Sequence, residues 1–129
     1  MIFVFGSNEL GIHGGGAARV ALDKYGAEWK KGVGPQGRSY AIPTCSKPTG
    51  QPDHEISFEK VSQYVADFIQ YAKDTPEEEF QVTKIGCGLA GWTNEQIAPL
   101  FTIAPENCQF DTEWQPFLGE DKKYWGHVA

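Results

Sequence analysis

The sequence has too few cysteines, in too irregular a pattern, to build a disulfide framework. There are three, Cys45, Cys87 and Cys108, an odd number with no C-x-x-C pair. This argues against a disulfide scaffold or a zinc ribbon and for a reducing compartment. Basic residues are also scarce: 11 Lys and Arg stand against 17 Asp and Glu, a net charge of −6. Non-specific DNA binding, which rests on cations neutralising phosphates, is therefore not expected. A small phosphate ligand stays open, because backbone N–H groups hold anions without cationic side chains. Long apolar runs are missing as well. Met1 to Phe5 is far too short for a membrane span and has no basic flank, so neither a signal peptide nor a membrane partner is expected. His13, His54 and His127 are far apart and lack ligand-like spacing with the cysteines, so no metal site is expected. Nothing calls for a cofactor.

What is present fits one globular domain over residues 1–129 in a cytoplasm. Hydrophobic residues at 40% and charged residues at 22% are ordinary usage, enough for a core without staples. Met1-Ile2-Phe3-Val4-Phe5 reads as a strand buried on both faces. Ala17, Val20, Ala21 and Leu22 predict a short helix from Gly16 to Tyr25 with Gly26 as its C-cap. Gly32 to Gly37 reads as a turn or loop, Ser39 to Ile42 as a strand stopped by Pro43, and Lys47 to His54 as a surface loop. Val61, Tyr64, Val65, Phe68, Ile69 and Ala72 form the apolar face of a helix capped by Ser57 and ended by Asp74-Thr75-Pro76. Phe80 to Ile85 is a further strand. Thr93 to Gln96 is a capping box opening a helix that Pro99 limits to about two turns. Asn107 to Asp111 reads as a last strand, and the aromatic, charged stretch after Thr112 has no clear place. This alternation predicts an α/β fold with a largely parallel sheet.

Two glycine-rich turns carry the functional signal. Gly11-Ile12-His13-Gly14-Gly15-Gly16 follows the first strand, and Gly86-Cys87-Gly88-Leu89-Ala90-Gly91-Trp92 follows the strand at Phe80. Each precedes a helix. Turns of this kind place N–H groups around phosphate oxygens. Two of them would share one sheet edge, where ligands of α/β folds bind.

These residues resemble the macro domain family, and more closely its short divergent branch in phages and bacteria. Phe5-Gly6-Ser7-Asn8 followed by Gly14-Gly15-Gly16-Ala17 is similar to the family's Asn-Ala-Ala-Asn strand end and triple-glycine loop. Gly86 to Thr93 is similar in spacing to its second glycine loop, and Ser39 to Thr44 to its central strand. The likeness covers the chain to about residue 105. It implies a three-layer α/β/α fold with a mostly parallel mixed sheet. It also implies a cleft for ADP-ribose or a related NAD-derived nucleotide, free or on an ADP-ribosylated macromolecule. Gly6, Ser7, Asn8, Gly14 to Ala17 and Gly86 to Trp92 would line that cleft, with Asn8 on the distal ribose. For a phage protein the compartment would be the host cytoplasm. The chain departs from the family at Phe5, at Ala17-Ala18 where hydrolytic members carry an Asp, and at Ala90, where Trp92 could replace a ring that packs on ribose. Only Met1 to Val4 precede the first motif, where the family's adenine-contacting Asp normally lies. Binding is thus the leading expectation, hydrolysis of an ADP-ribosyl bond or of a nucleotide signal at the distal ribose the alternative, and a ligand-free interaction protein with its aromatic tail as a partner surface the third.

Individual residues carry two readings each. Asn8 is either a ribose contact, which in the hydrolytic alternative would also position the attacking water as a catalytic residue, or a turn residue bonding its own backbone. His13 is a catalytic base or phosphate contact, or a loop histidine held by hydrogen bonds. Cys87 is a nucleophile with His13 as base, or a small residue packed under the loop. Trp92 stacks on the ligand or caps the core. Arg38 meets a phosphate or forms an ion pair.

Overall fold

A computed structural model describes residues 1–127, so the last two residues of the expected domain lie outside the described part. Strands β1 (Ile2–Asn8), β2 (Gly34–Gln36), β3 (Ser39–Cys45), β4 (Phe80–Val82), β5 (Cys108–Asp111) and β6 (Lys123–Gly126) form one sheet in the order β2-β3-β1-β4-β5-β6. All pairings are parallel except β2 with β3. The helices are α1 (Gly16–Lys24), α2 (Phe58–Asp74), α3 (Asn94–Ile97), continued by a 3₁₀ turn to Phe101, and α4 (Gln115–Leu118).

The strand period of two sorts the side chains onto opposite faces. Phe3, Phe5 and Ala41 pack with Ala18 and Ala21 of α1. Ile2, Val4, Tyr40 and Ile42 face the other way and join Val61, Val65, Phe68 and Ile69 of α2 with Phe101 and Phe110. The result is an α/β/α arrangement of three layers, with β1 wholly inside it. α2 follows the sequence closely: Ser57 caps it by accepting from the Lys60 N–H (3.1 Å), and the apolar stripe is its buried face. The capping box forms as expected, with Thr93 Oγ1 accepting from Gln96 N–H (3.2 Å) and Gln96 Oε1 accepting from Thr93 N–H (2.9 Å).

Four local expectations are corrected. The stretch from Gly34 to Gln36 is a strand, not only a turn, pairing antiparallel with Ser39–Ala41. Pro43 does not stop β3; it lies past the last pair with β2 (Gly34 with Ala41), where that side of β3 is an open edge and a missing N–H breaks no ladder. β4 ends at Val82 rather than Ile85, because the Ile85 N–H donates to Thr83 O (2.8 Å) in a tight turn that leaves the ladder. β5 is not the last strand, since β6 adds parallel to it.

The aromatic tail therefore has a place within the fold. Trp114 is fully buried, its ring 5.4 Å from that of Phe101, and its indole N–H donates to Asn94 Oδ1 (2.9 Å). Trp125 Nε1–H donates to Val82 O (2.8 Å). Both rings act inside the domain, which removes them from the free partner surface that the third expectation needs. Trp114→Ala is expected to cost about 3–5 kcal/mol in urea unfolding, as for other large-to-small core changes.

Candidate functional site

From β1 the chain runs through α1 to the β2–β3 pair on one side, then returns through α2 on the opposite face to β4 on the other side. From β4 it continues outward through α3 to β5. The connections leaving β1 and β4 thus diverge at their carboxyl ends, which opens a crevice between them. A cleft of about 580 Å³ sits there, within the range of small-molecule sites. Both glycine turns line it. Gly14, Gly15, Gly16 and Ala17 of the first turn, Gly86 to Ala90 of the second, and Gly6, Ser7 and Asn8 at the end of β1 all line it. Gly91 and Trp92 do not line it.

The first turn ends at the amino terminus of α1. Gly15 is the N-cap and offers no side-chain acceptor, and no acidic residue lies in the first turn. The first N–H groups of the helix are thus left without side-chain partners at the cleft, together with the positive end of its dipole. Gly14, Gly15 and Gly16 have no atom within 4 Å of a built Cβ, so the space in front of them is open.

Side chains near the turns mainly shape the backbone. Asn8 Nδ2 donates to Ile12 O (3.0 Å) and Asn8 Oδ1 accepts from the Ile12 N–H (3.1 Å), a two-way clamp on the loop. The turn reading of Asn8 is thus realised, although the residue still borders the cleft. Ser7 Oγ donates to Gly32 O (2.5 Å). That close approach needs Gly32, because a Cβ there would lie 2.2 Å from Asn8 O. Glu9 anchors the loop to α2: its carboxylate accepts from Lys60 Nζ (2.6 Å) and from the Tyr64 hydroxyl. Burial opposes ionisation of Glu9, yet these bonds hold it below the usual carboxylate range. Burial and the adjacent Glu9 push the Tyr64 hydroxyl up to about 12.

His13, expected as a catalytic candidate, is placed elsewhere. It is fully buried and absent from the cleft lining; its Nε2–H donates to Lys31 O (3.0 Å) and its ring meets Phe5 edge-on at 5.2 Å. The apolar neighbourhood of Phe5 draws the ring inward, so His13 is a post beneath the loop. Trp92 likewise does not stack in the cleft. Its Nε1–H donates to Thr44 O (2.9 Å) and its ring packs 5.8 Å from Phe58. The indole edge lies where a Cβ on Gly86 would come to 2.9 Å, and Gly86 has φ +72°, so only glycine fits there. Leu89 stands at the cleft edge, 89% exposed. Arg38 pairs with Glu78 (3.1 Å) at the amino ends of the strands, away from the cleft. The Cys87 thiol borders the cleft but is directed to Ile85 O (3.4 Å), with burial pushing its pKa up to about 11. That disfavours the thiolate and, with His13 buried, removes the nucleophile–base pairing.

One group at the site was not legible as such. β5–β6 pairing sets Asp111 beside Gly126, which brings the next residue, His127, onto the cleft. His127 Nδ1 lies 2.8 Å from Asp111 Oδ2, and its Nε2 is 3.3 Å from Glu113 Oε2. Asp111 is fully buried and its Oδ1 accepts from the Glu113 N–H (2.8 Å). Lys84, also on the cleft, donates to Glu113 Oε1 (2.5 Å) and holds that carboxyl below its ordinary range. Asp111, Glu113 and His127 offer three ligand atoms within 4.8 Å of one another, contrary to the expectation of no metal-like grouping. The Lys84 ammonium already sits on this cluster and opposes a cation there. The available sequence signal was a carboxylate closing a buried strand of an α/β sheet.

No protein-family model, curated protein or solved structure matches the chain. Among the described residues no helix is long and apolar enough to cross a membrane.

The Cys87 environment has a direct readout. Iodoacetamide labelling of Cys87 in the folded protein is expected to keep accelerating above pH 9, toward pH 11, where an ordinary thiol has levelled off. A half-maximal rate near pH 8.5, with a plateau by about pH 10, would show an unperturbed thiol.

Proposed function

We propose that the protein binds ADP-ribose or a related NAD-derived nucleotide, with its diphosphate between the two glycine turns. The observation that supports this most is that both turns open onto one cleft where the connections from β1 and β4 diverge, with the start of α1, which has no side-chain cap, at it. The N–H groups of Gly14 to Ala17 and Gly88 to Ala90 would meet the phosphate oxygens. The helix dipole adds about 0.3–1 kcal/mol at an exposed site. Recognition through main-chain amides suits a chain with net charge −6, since it requires no basic patch. The likeness of these turns to the diphosphate loops of macro domains favours the same ligand class. In this reading the distal ribose lies against the β1 end of the cleft, where Asn8 keeps its second amide hydrogen as a donor beyond the bond to Ile12 O. Three unpaired thiols suit a reducing cytoplasm as the setting.

Gly15 offers a test in which stability and binding move in opposite directions. Its φ of −161° is open to any residue and its Cβ position is free. In Gly15→Asp the new carboxylate caps α1, adding a few tenths of a kcal/mol or more to stability, while occupying the N–H groups that a phosphate needs. Calorimetry with ADP-ribose, ADP and AMP is expected to show binding by the wild type, weakened at least tenfold in the variant, with no loss of melting temperature. Absence of heat with all three nucleotides, or equal affinity in the variant, would contradict the proposal.

A further inference from the structure

We propose that His127, positioned by Asp111, is a general base in this cleft and that the protein hydrolyses the phosphoanhydride of the nucleotide it holds. The inference rests on the reading that the glycine turns hold a diphosphate.

A buried carboxylate is costly unless well partnered. Asp111 is fully buried, and both its oxygens are engaged, one with the Glu113 N–H and one with the His127 ring. Such a carboxylate fixes the imidazole: Nδ1–H is committed to Asp111, the tautomer is set, and the lone pair falls on Nε2. The Glu113 Oε2 atom 3.3 Å from Nε2 is an acceptor and makes no hydrogen bond to that lone pair, while Lys84 holds the other oxygen of the same half-exposed carboxylate at 2.5 Å. Nε2 can therefore accept from a water molecule. The ring is 37% exposed and lines the same cleft as both glycine turns.

The reaction balances with no further reactant. His127 Nε2 takes a proton from water as the water oxygen forms a bond to one phosphorus of the diphosphate. The bond from that phosphorus to the bridging oxygen breaks, and its electron pair leaves with that oxygen as the second monophosphate, which needs no proton at neutral pH. His127 returns its proton to solvent. Loop amides and Lys84 offset the charge gathering on the phosphoryl oxygens.

The test incubates the whole protein with ADP-ribose in EDTA-treated buffer containing ¹⁸O-water and separates the products by anion exchange. The expected products are AMP and ribose 5-phosphate, with one ¹⁸O in one of the two. His127→Gln, whose side-chain amide can donate to Asp111 in place of the ring, is expected to slow turnover at least about a hundredfold, with the ADP-ribose Kd within threefold. Asp111→Asn is expected to lower kcat with KM unchanged when the rate is normalised to the binding sites titrated with ADP-ribose; a wild-type rate per binding-competent molecule would make Asp111 merely structural. If the wild type binds ADP-ribose in calorimetry but releases no monophosphates, or His127→Gln turns over at the wild-type rate, the base assignment is overturned and the binding proposal stands. If it binds no nucleotide, both fall.

Discussion

Parallel pairing of β1 with β3 on one side and β4 on the other is the constraint from which the site follows. β1 is apolar on both faces and is stable only where both are covered, at the centre of the sheet. Parallel neighbours require crossovers, and these leave from the carboxyl ends. One crossover goes each way from the central pair, β1 leaving through α1 and β4 through α3, on opposite faces of the sheet. The two glycine turns therefore open on the same edge, and the cleft between them is a product of topology before any single side chain acts.

The side chains around the cleft form a division of labour. Asn8, Ser7, His13 and Trp92 all bond main-chain atoms of the loops or of β3. They hold the glycine turns in shape without filling the space in front of them. A loop fixed in advance loses less entropy when it meets an anion, so such scaffolding favours binding without contributing a contact. Besides the thiols of Cys45 and Cys87, the ionisable side chains lining the cleft among the described residues are Lys47, Lys84 and His127, none of them in a glycine turn.

Much of this order was legible in the sequence because it is local. The β1 run, the α2 stripe with its Ser57 cap, the Thr93 capping box and the glycine turns are each read within a window of a few residues. What was missed depends on pairing at a distance. β2 and β6 are short strands of ordinary polarity, and only their neighbours make them strands. Trp114 reads as a loose aromatic until Asn94 and Phe101 surround it. His13 reads as a loop residue until Lys31 returns against it. His127 and Asp111 are 16 residues apart, and their contact follows from β5–β6 register alone. The local rules thus located the two turns, while the identity of the side chains facing the cleft depended on long-range packing.

The account stands on main-chain amides from two turns acting on one anion. Titration of ¹⁵N-labelled protein with ADP-ribose, followed amide by amide, reads this directly. The amides of Gly14 to Ala17 and of Gly86 to Ala90 should shift together along one binding curve. Shifts confined to a single turn, or spread over the surface without either, would contradict it.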